Sequence, residues 1–138
     1  SGNRWKKGKG LRALAQAVSC FATSAEFCEE VGAPYMIENP VGSMSTYWRK
    51  WDYSYQPHHY TAWDARDNYT KKTCLWTGHG FVMPPRAEDP TLLKPDNRIH
   101  FASPGPLRSY FRSVTPAGFG EAVFHTNGRP LDRSAQTC

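Results

Sequence analysis

A chain of 138 residues, 39% hydrophobic and 14% aromatic, can bury one core, and nothing in it calls for two autonomous ones. Seventeen Lys and Arg against 12 Asp and Glu leave a charge of +5, which favours polyanionic partners such as nucleic acid without establishing that one binds. No apolar run approaches the length of a bilayer span and no charged-then-apolar leader is present, so neither a membrane partner nor secretion is indicated.

Arg4, Lys6, Lys7, Lys9 and Arg12 all precede the first acidic residue, Glu26, in a stretch punctuated by Gly8 and Gly10. Residues 1–10 read either as a flexible basic arm able to track phosphates or as a solvated terminus. The opening SGNRWKKGKG, without an initiator Met, reads as the start of a fragment. From residue 11 to 31, Leu11, Leu14, Ala15, Val18, Ala22, Ala25 and Cys28 recur at spacings of three and four and predict an amphipathic helix closed by Gly32. APYMI (33–37) is apolar throughout and reads as a short buried strand, so helix and strand together suggest one αβ unit of an α/β fold.

Residues 45–63, STYWRKWDYSYQPHHYTAW, mix Trp and Tyr with polar and basic residues without helical period, and read as an irregular functional loop. Trp48, Trp51 and Tyr53 are candidates to stack on an extruded base, with Arg49, Lys50 and the histidines beside them for phosphate. The alternative is a loop that packs its aromatics onto the sheet. KKTCLWTG (71–78) has strand composition and is closed by Gly78 and Gly80. Prolines at 84, 85, 90, 95, 104 and 106 make residues 81–106 loop. Thr115 as N-cap and Pro116 at the first helical position open a last short helix. The expected organisation is therefore a single lobe over 1–127 and a flexible tail over 128–138.

Cys20, Cys28, Cys74 and Cys138 form no CxxC pair, and neither they nor the five histidines have zinc-site spacing. Adjacent His58 and His59 point in different directions on an extended chain, so no metal site is expected. Buried, reduced thiols in a cytoplasmic protein are the expectation.

Glu38 and Asn39 stand where the first strand ends, the place at which open α/β sheets meet ligands, with Pro40 restricting Asn39 and presetting their direction. A carboxyl at the edge of an apolar strand can donate a proton near neutral pH, or it can cap a turn or pair with a Lys.

APYMIENPVGSMSTYWRK followed by DNYTKKTCLWTGHGFVMP resembles a family of phage and prophage DNA cytosine methyltransferase-like proteins, related to the cytosine-5 DNA methyltransferases. The resemblance runs from SGNRWKKGKGLRAL to SVTPAGFGEAVF, and IENP and YTKKTCLWTG are its most specific parts. It implies a partial Rossmann-like methyltransferase fold with long irregular loops and a DNA partner. It also implies methyl transfer from S-adenosylmethionine to cytosine in the complete parent. Glu38 would then contact the flipped cytosine and assist attack at its carbon 6. Tyr69, Lys71 and Thr73 would match the Gln-x-Arg-x-Arg positions that meet base and phosphate, with Lys71 alone keeping the charge. The family's Pro-Cys nucleophile and glycine-rich donor loop are missing, so this chain matches the C-terminal half of the catalytic domain and should not transfer methyl groups alone. A non-catalytic DNA-binding or protein-interaction module, such as a phage counter-defence protein, is the alternative, and altered chemistry in the same pocket is a third. An incomplete sheet would leave a strand edge open to self-association or a second chain.

Overall fold

The computed structural model describes residues 10–40 and 44–128. They divide into two compact units: the described parts of Ser1–Tyr55 with Lys72–Phe81, and those of Gln56–Lys71 with Val82–Cys138.

The first unit begins with helix α1, Gly10–Val31. The predicted helix is present, but its inward stripe is Leu14, Val18, Phe21, Ala25 and Cys28, while Leu11 is 82% exposed and Ala15 and Ala22 face solvent. Phe21 is the anchor: its ring meets Trp76 edge-on at 5.2 Å, and with Val18 and Trp51 it packs on the buried cluster of Met44, Cys74 and Trp76. An aromatic ring wins the core position over alanines on the neighbouring stripe because it removes far more apolar area from water.

Strand β1 is Tyr35–Pro40, a four-residue helix α2 is Met44–Tyr47, β2 is Tyr53–Tyr55 and β3 is Thr73–Gly78. The sheet order is β1-β3-β2 and both pairings are antiparallel. The α/β expectation therefore holds as a mixture of helix and strand, but the parallel αβ unit that the first strand suggested is absent from this sheet. The fully buried strand is β3, whose Thr73, Cys74, Leu75 and Trp76 are all sequestered, as befits the strand with a neighbour on each side. β1 is a half-buried edge strand, which is why Pro40, with no N–H to give, can end it. The expected loop 45–63 is likewise corrected: it holds α2, β2 and a 3-10 turn at Pro57–Tyr60.

One close approach fixes a glycine. A Cβ on Gly78 would stand 2.5 Å from the Tyr35 ring across the β1–β3 ladder. Tyr35 in turn donates its hydroxyl hydrogen to the Glu29 carboxylate of α1. His79, the one non-glycine residue at positive φ among those described, follows at φ 54° and meets Glu29 at 3.1 Å.

The second unit has no sheet of its own, only the bridge Tyr69 to Asp96. It contains 3-10 turns at Pro57–Tyr60 and Ala65–Asp67, then helices α3 (Arg98–Phe101), α4 (Pro106–Ser113) and α5 (Ala117–Asn127). α3 corrects the expectation of loop over 81–106, and α4 begins at that segment's last residue: Pro106 lies in its first turn, where a missing N–H costs nothing. Phe119 of α5 packs on Tyr60 at 5.2 Å, both fully buried. The start of α5 is one residue later than expected, and its cap is long-range. Pro116 holds the cap position, and buried Asp67 accepts the Gly118 N–H at 2.7 Å. Much of the remaining backbone is satisfied by side chains: Asn127 exchanges two hydrogen bonds with Val82, its Oδ1 and Nδ2 both at 2.8 Å.

Of the cysteines, Cys74 alone is buried, its thiol pKa raised by that burial, whereas Cys28 is half-buried and Cys20 exposed. This corrects the expectation of buried thiols generally; Cys138 lies outside the described residues. No helix among the described residues is long and apolar enough to cross a membrane.

Candidate nucleic-acid interface

Glu38 stands opposite Leu75 on β3, while Tyr55 of β2 stands opposite Thr73. Alternation puts both side chains on one face, and Tyr55 reaches across the central strand to donate to Glu38 Oε1 at 2.5 Å. Tyr55 is almost wholly buried, so this charge-assisted bond is shielded from water and fixes the carboxylate direction. Asn39 pairs with Cys74 and therefore projects from the other face. The two residues expected to act together are separated by the pleat, and because the sheet is antiparallel, the rule for carboxyl ends of parallel strands does not apply to it.

Beyond α2 the chain places aromatics and cations in alternation. The Arg49 guanidinium lies 4.4 Å from the centre of the Trp48 ring. Trp51 has two ammonium groups against it, Lys50 at 6.0 Å and Lys72 at 5.5 Å. Trp48 and Tyr53 are 46% and 40% exposed, and Tyr53 has Phe81 at 6.4 Å. The base-stacking candidates thus lie on one unit with three cations among them.

Their charges are not equally available. Arg49 forms a fork on Asp52 at 2.9 and 3.0 Å, and Asp52 Oδ2 also accepts from the Thr77 N–H at 2.7 Å. Burial acts to raise the Asp52 pKa, but these donors outweigh it and hold the carboxyl below its ordinary value. The Trp76 indole N–H donates to the Arg49 carbonyl at 2.9 Å, tying this corner to the core. Lys50 and Lys72 are exposed and have no carboxylate partner among the described residues.

Other expected phosphate contacts are placed elsewhere. Thr73 is buried in the central strand. Lys71 belongs to the second unit, where its Nζ donates to the Val114 carbonyl at 2.9 Å, and Tyr69 is buried there. Arg4, Lys6, Lys7 and Lys9 lie outside the described residues. Lys72 is the residue that sequence reasoning missed: the KK pair was visible, but only the fold shows that Lys72 reaches Trp51 while Lys71 turns to the Val114 carbonyl.

His58 and His59 meet edge to face at 4.6 Å. His58 is bonded to Glu88 at 2.9 Å, and the Gln56 N–H donates to His59 Nδ1 at 3.2 Å. Burial, then Arg86 and His58, push His59 down to about 4, so it is neutral at physiological pH. Among the described residues no three His, Cys, Asp or Glu side chains gather as metal ligands.

The methyl donor's usual cradle, a strand turning through glycines into a helix, finds no counterpart among the described residues. β2 leads into the Pro57–Tyr60 turn, β3 into Gly78–His79–Gly80 and then Pro84, and the next helix after β1 is only four residues long. The described residues do not form a cradle that fits S-adenosylmethionine. Comparison with family models, with curated proteins and with solved structures finds no match to this chain.

Proposed function

We propose that this chain is a DNA-binding lobe of a cytosine methyltransferase-like protein, engaging bases and phosphates through Trp51, Tyr53, Lys50 and Lys72. The observation that carries the proposal is Trp51 with two lysine ammonium groups beside its ring, a pairing of stacking surface and phosphate-seeking charge that suits an unstacked strand. Glu38, oriented by Tyr55, is the group that would read a cytosine through its amino group and ring nitrogen. Methyl transfer from S-adenosylmethionine, the nucleophile and the Rossmann-like remainder of the lobe belong to a longer parent, and rest on the IENP and YTKKTCLWTG resemblance. The open edge of β1 is where a second chain would continue the sheet.

Fluorescence anisotropy with labelled cytosine-containing strands, single and duplex, tests this across a salt series. The logarithm of the affinity should fall linearly with log salt concentration, and Lys72→Ala should reduce that slope by about one. Trp51→Ala, with folding checked by melting, should cost about 1–3 kcal/mol of binding. Glu38→Gln should leave the slope unchanged and remove any preference for cytosine over thymine. Salt-independent binding, or none, overturns the proposal; saturable heat on adding S-adenosylmethionine would instead return catalysis to this chain.

A further inference from the structure

α1, α2 and Trp48 enclose an open cleft of about 710 Å³ in the first unit, within the roughly 300–1,000 Å³ of small-molecule sites. Its walls are apolar and aromatic: Phe21 stands edge-on to Trp48 at 5.7 Å, with Met44 and Tyr47 beside them, and Ala22 leaves the space open. Among the described residues its charged lining is wholly acidic. Glu26, Glu29 and Glu30 occupy one turn of α1, and no described Lys or Arg lines the cleft, although the chain carries +5.

Glu29 is engaged by Tyr35 and His79, and the Tyr35 hydroxyl holds its carboxyl below the ordinary value. Glu26 and Glu30, one helical turn apart, have no ion-pair partner among the described residues and repel each other, an unfavourable pairing that a bound cation would relieve. Aromatic faces attract cations through the ring quadrupole, and that attraction strengthens as the cation is desolvated. A polyanion is repelled by the same rim, and a bare metal ion would leave the aromatic walls unused.

We propose that this cleft binds an apolar organic cation, with its ammonium group at Glu26 and Glu30 and its hydrocarbon body against Phe21, Tyr47 and Trp48. This assigns Trp48, with the Arg49 guanidinium 4.4 Å from its ring centre, to the cleft rather than to the DNA surface.

The test is calorimetric titration of the full chain with benzyltrimethylammonium and with neopentylbenzene, which has the same shape with carbon in place of nitrogen. The cation should saturate, with the neutral compound at least about tenfold weaker. Glu26→Gln with Glu30→Gln should weaken the cation about five- to tenfold and leave the neutral compound unchanged. Ala22→Trp, at an exposed helical position, should fill the cleft and abolish both, with melting curves confirming the fold. Equal affinity for the two compounds, indifference to the double Gln variant, or no cation binding at millimolar concentration would each overturn the proposal.

Discussion

The two units solve one problem in different ways. In the first, backbone N–H and C=O groups are met by a three-stranded ladder with a buried central strand. In the second, Asp64, Asp67, Asn68 and Thr61 reach from loops and turns, and Asn127 from the end of α5, to individual backbone groups. Every buried backbone polar group needs a partner, and a chain rich in Pro and Asp can find one without regular structure. The difference is in redundancy: a ladder loses one rung at a time, whereas a single side-chain acceptor, once lost, leaves a donor orphaned.

The sharpest way to probe the contrast is to remove the anchor of each unit. Trp76→Ala and Phe119→Ala each delete a fully buried ring, and each should cost about 3–5 kcal/mol in urea unfolding. Hydrogen exchange on both variants should show protection lost first around β3 in one and around α5 in the other. Equal loss throughout would mean that the units open as one.

Acid should act on the second unit through His59. Its His59 pKa, lowered from 6.5 to about 4, lies below the unfolded value, so the neutral ring's contribution is complete above pH 6.5. That contribution is lost as pH falls towards 4, because the unfolded chain takes up the proton first. Discounted for the ring's partial exposure, the loss is about 1–2 kcal/mol. Urea unfolding at pH 7.5 and 4.5 should reveal it, and His59→Gln should flatten that part of the profile. The smallest effect belongs to the first unit's surface: replacing Arg49 by Met removes a half-exposed pair with Asp52 and should change stability by less than about 1 kcal/mol, read from the same curves.

How much of this was legible in the sequence follows from how local each cause is. Helix α1 and strand β3 could be read because periodicity and composition are properties of neighbouring residues. The inward face of α1 was misjudged around Phe21, since three- and four-residue spacings among alanines made a second, weaker stripe. Helix α4 was hidden because Pro104 and Pro106 look like breakers, although Pro106 occupies the first turn, where proline is tolerated. The Glu38–Tyr55 bond spans 17 residues and depends on a register across the sheet, and the choice of Lys72 over Lys71 depends on contacts with Trp51 and Val114, distant in the chain. Neither has a signature in spacing. The resemblance singled out Glu38, but only the sheet shows which residue orients it and that Asn39 faces away.

The stacking of the Tyr35 ring over Gly78 has a consequence for how this sequence can drift. Position 78 can gain a side chain only if position 35 surrenders its ring, and that surrender would also take away the hydroxyl that Glu29 receives. The two sites, far apart in the chain and adjacent in the ladder, are therefore coupled in one direction: a side chain at 78 requires the Tyr35 ring to move, whereas position 35 can take a smaller residue with Gly78 kept.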